Sequence, residues 1–426
     1  MNGDDLRDET LKAHSARKGK IQVVGKVAIN EANDLAMYYT PGVAYPCLEI
    51  KNNKDLSYEY TSRGNMVAII TDGTRILGLG NIGPEAGMPV MEGKSVLLKK
   101  FGGVDAVPLA LDITQEDWIV GVVKALAPSF GAINLEDIET PKAVNILKRL
   151  EKELTIPVFH DDSYGTAIIT VAALKNALKL VGKKLKSVRI VVNGAGSAGF
   201  GITELLLNSG ATDVICCDTT GIIYKGRTER MNNIKEELAS MTNKSGMIGS
   251  LSDAMKGADV LISVASNGTI TKEQVSSMAE MSIVLALSNP DPEIGYEDAK
   301  AAGAAVVGTG QSGIPNQVNN MLAFPGVFRG LLDVRARRMN VDMMIAAVDA
   351  IAKTVGRKQL TADYIVPDFN DNKMALKTTA SVAEAVAAAA MKTGVARVQK
   401  KPGEIKRDYI ASVKRYNRLE KLISKL

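Results

Sequence analysis

The apolar run Val188-Arg189-Ile190-Val191-Val192-Asn193 leads straight into Gly194-Ala195-Gly196-Ser197-Ala198-Gly199 and then into a helical segment, 198–208. A buried strand that ends in Gly-x-Gly-x-x-Gly and opens a helix leaves few folds available. Gly194 can make the tight turn, Gly196 keeps the backbone bare for a pyrophosphate, and Gly199 lets the helix pack close to the strand. The helix N-terminus supplies amide donors to that anion. A second strand over 213–217 completes a βαβ unit, and Asp218 ends it about 20 residues beyond the turn, where a ribose-binding acid is expected. Gly194, Gly196, Ser197, Ala198, Gly199 and Asp218 are therefore the candidate cofactor-binding residues. A carboxylate at 218 repels a 2′-phosphate and favours NAD, while Lys225 and Arg227 close behind leave NADP open.

Around this unit short β-rich runs alternate with helical ones, which implies parallel sheets covered by helices. The 426 residues are long for one domain and comfortable for two. The expected fold class is α/β in two lobes. Residues 1–163 form an N-terminal α/β substrate and metal lobe, and 164–320 a Rossmann-like, doubly wound nucleotide-binding domain. Helices over 321–426 return to the first lobe, and the basic, amphipathic tail from Glu404 docks on its own subunit or forms a dimer contact. Within the first lobe, Met66–Ile70 reads as a buried strand; Asp72-Gly73 followed by Arg75-Ile76-Leu77-Gly78-Leu79 reads as a hairpin.

Composition removes other classes. A net charge of +5 with only 4% aromatics and no basic stripe gives no nucleic-acid footprint. Cys47, Cys216 and Cys217 are an odd set that suits neither disulfides nor zinc. No signal-peptide core and no long apolar span is present, so the chain reads as cytoplasmic and free of membrane partners. Two histidines, His14 and His160, are too few for a multi-histidine metal site. Any general base is then a carboxylate or a lysine.

Glu136-Asp137 and Asp161-Asp162 each follow a short apolar run. Carboxylates where buried strands end are costly unless something cationic gathers them. Glu136, Asp137 and Asp162 offer hard oxygen ligands suited to an octahedral Mg²⁺ or Mn²⁺ that keeps room for substrate and water. Adjacent strand residues face opposite ways, so Glu136 and Asp137 converge only where the strand breaks into a turn. Lys94, after Glu92-Gly93 at an apparent helix start, sits where a first helical turn and a nearby metal both disfavour the ammonium, which makes it a candidate base. Arg75 is a candidate fork for a substrate carboxylate. His160 is expected to pack or hydrogen-bond behind the acidic pair. A metal beside a nicotinamide accounts for acids and glycines together and points to a metal-assisted dehydrogenase.

These motifs have a known counterpart. The chain resembles malic enzyme in its short bacterial- and archaeal-type NAD(P)-dependent form, from Tyr39-Thr40-Pro41-Gly42-Val43-Ala44 to Thr393-Gly394-Val395-Ala396-Arg397. Between them, in order, lie Thr71-Asp72-Gly73, Gly78-Leu79-Gly80-Asn81-Ile82-Gly83, Met91-Glu92-Gly93-Lys94, Asn134-Leu135-Glu136-Asp137-Ile138, His160-Asp161-Asp162, Gly165-Thr166-Ala167, Ser288-Asn289-Pro290 and Phe324-Pro325-Gly326-Val327-Phe328-Arg329-Gly330. The resemblance implies oxidative decarboxylation of (S)-malate to pyruvate and CO₂ with reduction of NAD(P), and oxaloacetate decarboxylation as a side activity. It implies Glu136, Asp137 and Asp162 as metal ligands, Lys94 as the base with Asp161 behind it, and Tyr39 as the acid that protonates C3. It further implies Arg75, Asn289 and Asn320 as substrate-binding residues, with Asn289 also at the nicotinamide. The chain departs from the family at Ser163-Tyr164, where glutamine and histidine are more usual. A form without the acetyltransferase-like extension of some relatives is expected, and so is a homodimer or higher homo-oligomer. Malolactic conversion, a metal-dependent oxaloacetate decarboxylase and a non-catalytic NAD-sensing module are the rival readings; the last predicts loss of Lys94, Tyr39 and the ligand carboxylates, and all are present.

Overall fold

In the computed structural model, residues 3–423 are described. The first lobe is built on β1 (Met66–Thr71), β2 (Asp105–Ala110), β3 (Ala132–Leu135) and β4 (Val158–His160), ordered β2-β1-β3-β4 and parallel throughout. Parallel neighbours need crossover connections, and the helices Pro84–Gly102, Glu116–Leu126 and Lys142–Glu153 supply them. Val67 to Ile70 are completely buried, as an interior parallel strand requires.

The expected hairpin after Asp72-Gly73 does not form. β1 already has β2 on one side and β3 on the other, so it keeps no free edge for an antiparallel partner. The 72–83 stretch is instead a loop that bridges itself from Ile76 to Gly80, with Ile76 fully buried. A turn signature reads only local geometry, and here the core claims Ile76.

The second sheet runs through β5 (Arg189–Asn193), β6 (Asp213–Asp218), β7 (Gly221–Ile222), β8 (Val260–Ser263), β9 (Ile283–Ala286) and β10 (Val306–Thr309), in the order β10-β9-β8-β5-β6-β7. All pairs are parallel except β6 with the short β7. After β5 the chain builds outward to β6 and β7, then returns to β8 on the other flank. The crevice beyond the C-terminal ends of β5 and β8 is therefore the switch point at which such sheets bind ligands.

The helix Thr166–Leu180, buried along most of its length, joins the lobes. Helices beyond 320 are shared between them. Phe324–Asp333 and Glu404–Ile423 pack on Pro84–Gly102, whereas Val341–Thr354 lies on Thr166–Leu180 and Ser197–Asn208. The tail docks on its own chain: buried Tyr409 donates a hydrogen bond to the Phe101 carbonyl at 2.7 Å. By contrast, the helices Ala32–Tyr38 and Ala44–Asn52 bury no residue at all. Among the described residues no helix is long and apolar enough to cross a membrane.

Candidate active site between the two lobes

β3 and β4 end side by side, and each delivers an acidic pair by breaking its strand geometry. β3 stops at Leu135; Asp137 takes a left-handed backbone with φ of 53°, a region that aspartate tolerates better than most side chains. This is the break that lets neighbouring residues turn to one side. β4 stops at His160, and Asp161–Gly165 winds into a π-helical turn, a form found mostly at functional positions. Gly165 is required there, because a Cβ would fall 1.8 Å from Asp161 Oδ1. The two turns are tied: the Asp137 amide donates to Asp162 Oδ2 at 2.8 Å, and His160 Nε2 lies 3.2 Å from the same oxygen. His160 thus stands behind the acidic pair as expected.

Lys94 meets these acids from the Pro84–Gly102 helix. Its ammonium is hydrogen-bonded to Asp161, lies 2.8 Å from Glu136 Oε1 and sits 4.1 Å from the centre of the Phe324 ring. Asn320 donates to Asp161 Oδ2 at 2.6 Å. Asn134, two residues before Glu136 on the same face of β3, donates to Glu136 Oε2 at 2.7 Å. Alternation along the strand was the signal that could have found it.

One expectation about Lys94 is overturned. The helix begins ten residues earlier, with Pro84 at its first position after Gly83, so Lys94 lies mid-helix and not in the first turn. Burial pulls its ammonium toward deprotonation, but Asp161 and Glu136 outweigh burial and hold it more firmly protonated than an ordinary lysine. Lys94 would give up its proton readily only if one of those carboxylates were drawn to another cation.

The carboxylates themselves favour one. Burial drives Glu136 well above the usual range, against Lys94 and helped by the three aspartates around it. Asp137 is raised by burial and by Asp162, up to about 7. Asp162, which desolvation would also raise, is carried below the usual range by His160. Asp137 Oδ2 and Asp161 Oδ1 are buried with no hydrogen-bond partner. Hard oxygen donors, mutual repulsion and orphaned atoms fit a divalent cation. Among the described residues, however, no three such side chains are gathered on a single point. Glu136 is engaged by Lys94 and must change partner for Glu136, Asp137 and Asp162 to close on one ion.

A pH dependence follows. Because the raised Asp137 favours the fold in its protonated form, its contribution to stability is lost as pH climbs through about 7, and a bound cation recovers it. The rise in melting temperature caused by Mn²⁺ is expected to grow between about pH 6 and pH 8, as the competing proton leaves. Melting curves with and without Mn²⁺ across that window check this; an increment that stays level contradicts it.

The 72–83 loop forms the first-lobe wall. Buried Asp72 pairs with Lys142 at 2.5 Å, Thr74 Oγ1 accepts the Glu139 amide at 3.0 Å, and the Arg75 amide donates to the Asp137 carbonyl at 3.1 Å. The Arg75 side chain is exposed above this anchor. Asn289, also exposed, belongs to the loop after β9 on the facing wall; a Cβ on Gly78 would come 3.8 Å from the Asn289 carbonyl and from Pro290. Buried Glu293 holds that loop, accepting the amides of Ala265 at 2.7 Å and Ser288 at 3.1 Å. Among the described residues no hydrogen bond ties the Tyr39 side chain to this cluster. Tyr39 caps the helix Ala32–Tyr38 and is 65% exposed.

At the glycine turn the sequence assignments acquire geometry. Gly194 has φ of 114° and a Cβ there would meet the Val264 carbonyl at 2.8 Å; one on Gly199 would meet the Gly194 carbonyl at 1.8 Å. Gly196 precedes the helix Ser197–Asn208 with no side chain to cap it. Asp218 ends β6 as expected, but its oxygens are taken. Arg227 binds both, at 2.9 and 2.5 Å, Lys235 lies 2.6 Å away, and Thr220 donates its amide and hydroxyl. Burial works against ionisation, yet these donors hold Asp218 well below the usual carboxylate range. With Arg227 and Lys235 cancelling its charge, Asp218 does not by itself exclude a 2′-phosphate.

Two family models match the chain: "Malic enzyme, N-terminal domain" over residues 18–118 and "Malic enzyme, NAD binding domain" over 164–391. The chain belongs to the malic enzyme family. It is 54% identical over 400 residues to the bifunctional malic/malolactic enzyme of Bacillus subtilis, covering 94% of this chain and 97% of that one. It is 46% identical to the NAD-dependent malic enzyme of Geobacillus stearothermophilus, over 92% and 80% of the two chains. NADP-dependent malic enzymes are also among its relatives. The crystal structure of malic enzyme from Pyrococcus horikoshii superposes with a TM-score of 0.92 at 43% identity, covering 99% and 98%. The malic enzyme assignment thus rests on both lobes and on nearly the whole chain.

Proposed function

We propose that this chain oxidises (S)-malate at C2 and decarboxylates it, releasing pyruvate and CO₂ and reducing NAD, with NADP as the alternative cofactor. The observation that carries this is Lys94 held among Glu136 and Asp161 where β3 and β4 end, with Asn320 reaching Asp161 from the segment that follows β10 of the nucleotide sheet. When bound, a divalent cation would supply positive charge to stabilise the developing oxyanion, and a nicotinamide would supply the hydride acceptor. Glu136, Asp137 and Asp162 are the residues that would hold the cation. Lys94, relieved of Glu136, takes the proton of the C2 hydroxyl, while Asp161 orients it and keeps Asn320 in place. Arg75 grips a substrate carboxylate from its anchored loop. Asn289 and Asn320 position malate against the nicotinamide, and Gly194, Gly196, Ser197, Ala198 and Gly199 hold the pyrophosphate, with Asp218 near the adenosine ribose.

Tyr39 returns a proton to C3 once CO₂ has left. Its exposure, together with that of Leu35, Met37, Tyr38, Val43, Tyr45 and Leu48, supports a homodimer in which a second copy covers this apolar arm. Unpaired, buried Cys216 and Cys217 agree with a cytoplasmic setting.

Malate with NAD and Mn²⁺ is expected to give pyruvate and NADH in equal amounts; no NADH with any cofactor would defeat the reading. The bifunctional malic/malolactic relative from Bacillus subtilis favours a second outcome, malolactic conversion, in which lactate forms with no net NADH. Lactate assay on the same mixture separates the two, and oxaloacetate added alone tests the side activity.

A further inference from the structure

Thr140 belongs to the first lobe, in the segment that also carries Glu136 and Asp137, yet its hydroxyl lies at the nucleotide turn of the second. Its Oγ1 accepts the Ser197 amide at 2.9 Å and pairs with the Ser197 hydroxyl at 2.6 Å. Ser197 is the first residue of a 12-residue helix whose N-cap, Gly196, has no side chain to offer. A Cβ on Gly196 would lie 3.8 Å from Thr140 Oγ1 and meet no other atom within 4 Å, so this hydroxyl stands in front of the bare turn. The amide that Thr140 takes is one of the donors a helix N-terminus directs at an anion.

We infer that Thr140 is an internal stand-in for a pyrophosphate oxygen: a latch, borrowed from the other lobe, that the dinucleotide must displace in order to bind. This rests on the reading of 194–199 as the pyrophosphate turn. One amide serves one strong acceptor, and an anionic oxygen is a better acceptor than a hydroxyl. The free chain therefore holds its lobes together through Thr140, and the dinucleotide binds more weakly by the worth of that cap.

Displacement would also be felt beyond the turn. The backbone next to Thr140 is tied through Glu139 to Thr74, through Asp137 to Arg75, and through the Asp137 amide to Asp162. Cofactor binding at one lobe thus acts on the segment that carries two of the carboxylates in the other, and such coupling is reciprocal.

NADH fluorescence titration, with neither metal nor malate present, tests the latch. Thr140→Val is expected to tighten NADH about fivefold, the worth of one helix N-cap. Its unliganded melting temperature falls while the NADH-saturated value stays near that of the parent chain. Thr140→Ser keeps the hydroxyl and keeps the parent affinity. If Thr140→Val precipitates, Thr140→Ala is read in its place. Unchanged or weaker NADH binding by the Val or Ala variant, beside a normal Ser variant, overturns the latch. Gly196→Val tests the underlying reading separately: if it binds NADH normally, the pyrophosphate does not lie at this turn.

Discussion

Lys94→Arg is expected to fold, to bind NADH normally and to lose malate oxidation by about 10³-fold, within the range for removing a general base. Arginine keeps the positive charge among Asp161, Glu136 and Phe324 but does not release a proton near neutral pH. Turnover close to that of the parent chain would remove Lys94 from the role of base. Lys94→Ala tests a different property of the same group. Lys94 is the cation paired with two buried acids, and stripping one partner from a buried pair costs about 3–5 kcal/mol. The alanine variant should therefore melt well below the arginine variant, and Mn²⁺ should recover most of the difference by drawing on the carboxylates left behind. A Lys94→Ala protein as stable as the parent without metal would show that those acids are already neutral.

Asp162→Asn is expected to weaken Mn²⁺ binding by at least about 10²-fold, since even partners behind metal ligands are worth 10–100-fold in affinity. The structure adds a reason beyond the lost charge. Asp162 Oδ2 accepts the Asp137 amide and faces His160, so an amide side chain must present its oxygen there and turn its NH₂ away. Both turns lose an anchor if it does not. Mn²⁺ titration followed by electron spin resonance gives the answer, and a curve matching the parent chain would contradict the ligand assignment.

Much of this was legible in the residues because the requirements are local. Gly194 and Gly199 are needed for reasons that a strand-turn-helix already contains, and the geometry bears both out. The convergence of Glu136 and Asp137 was deducible from side-chain alternation, which demanded the break seen at Asp137. What escaped depends on partners distant in sequence. The 72–83 loop looks like a hairpin until β1 is known to be flanked on both sides. Lys94 looks like the start of a helix because Glu92-Gly93 precedes it, yet Pro84 begins a helix that passes through both. Asp218 looks free until Arg227 and Lys235 are folded back onto it. Thr140, an ordinary residue before a proline, gains its interest only from Ser197, 57 residues away.

Tyr409 and Glu420 bind the end of the Pro84–Gly102 helix through the Phe101 carbonyl and Lys100, and Ser412 crowds the glycine that terminates it. The last segment of the chain is in this sense a buttress for the rod on which Lys94 rides. Loosening Tyr409, Ser412 or Glu420 would therefore be felt along that rod, at a distance from the acids themselves.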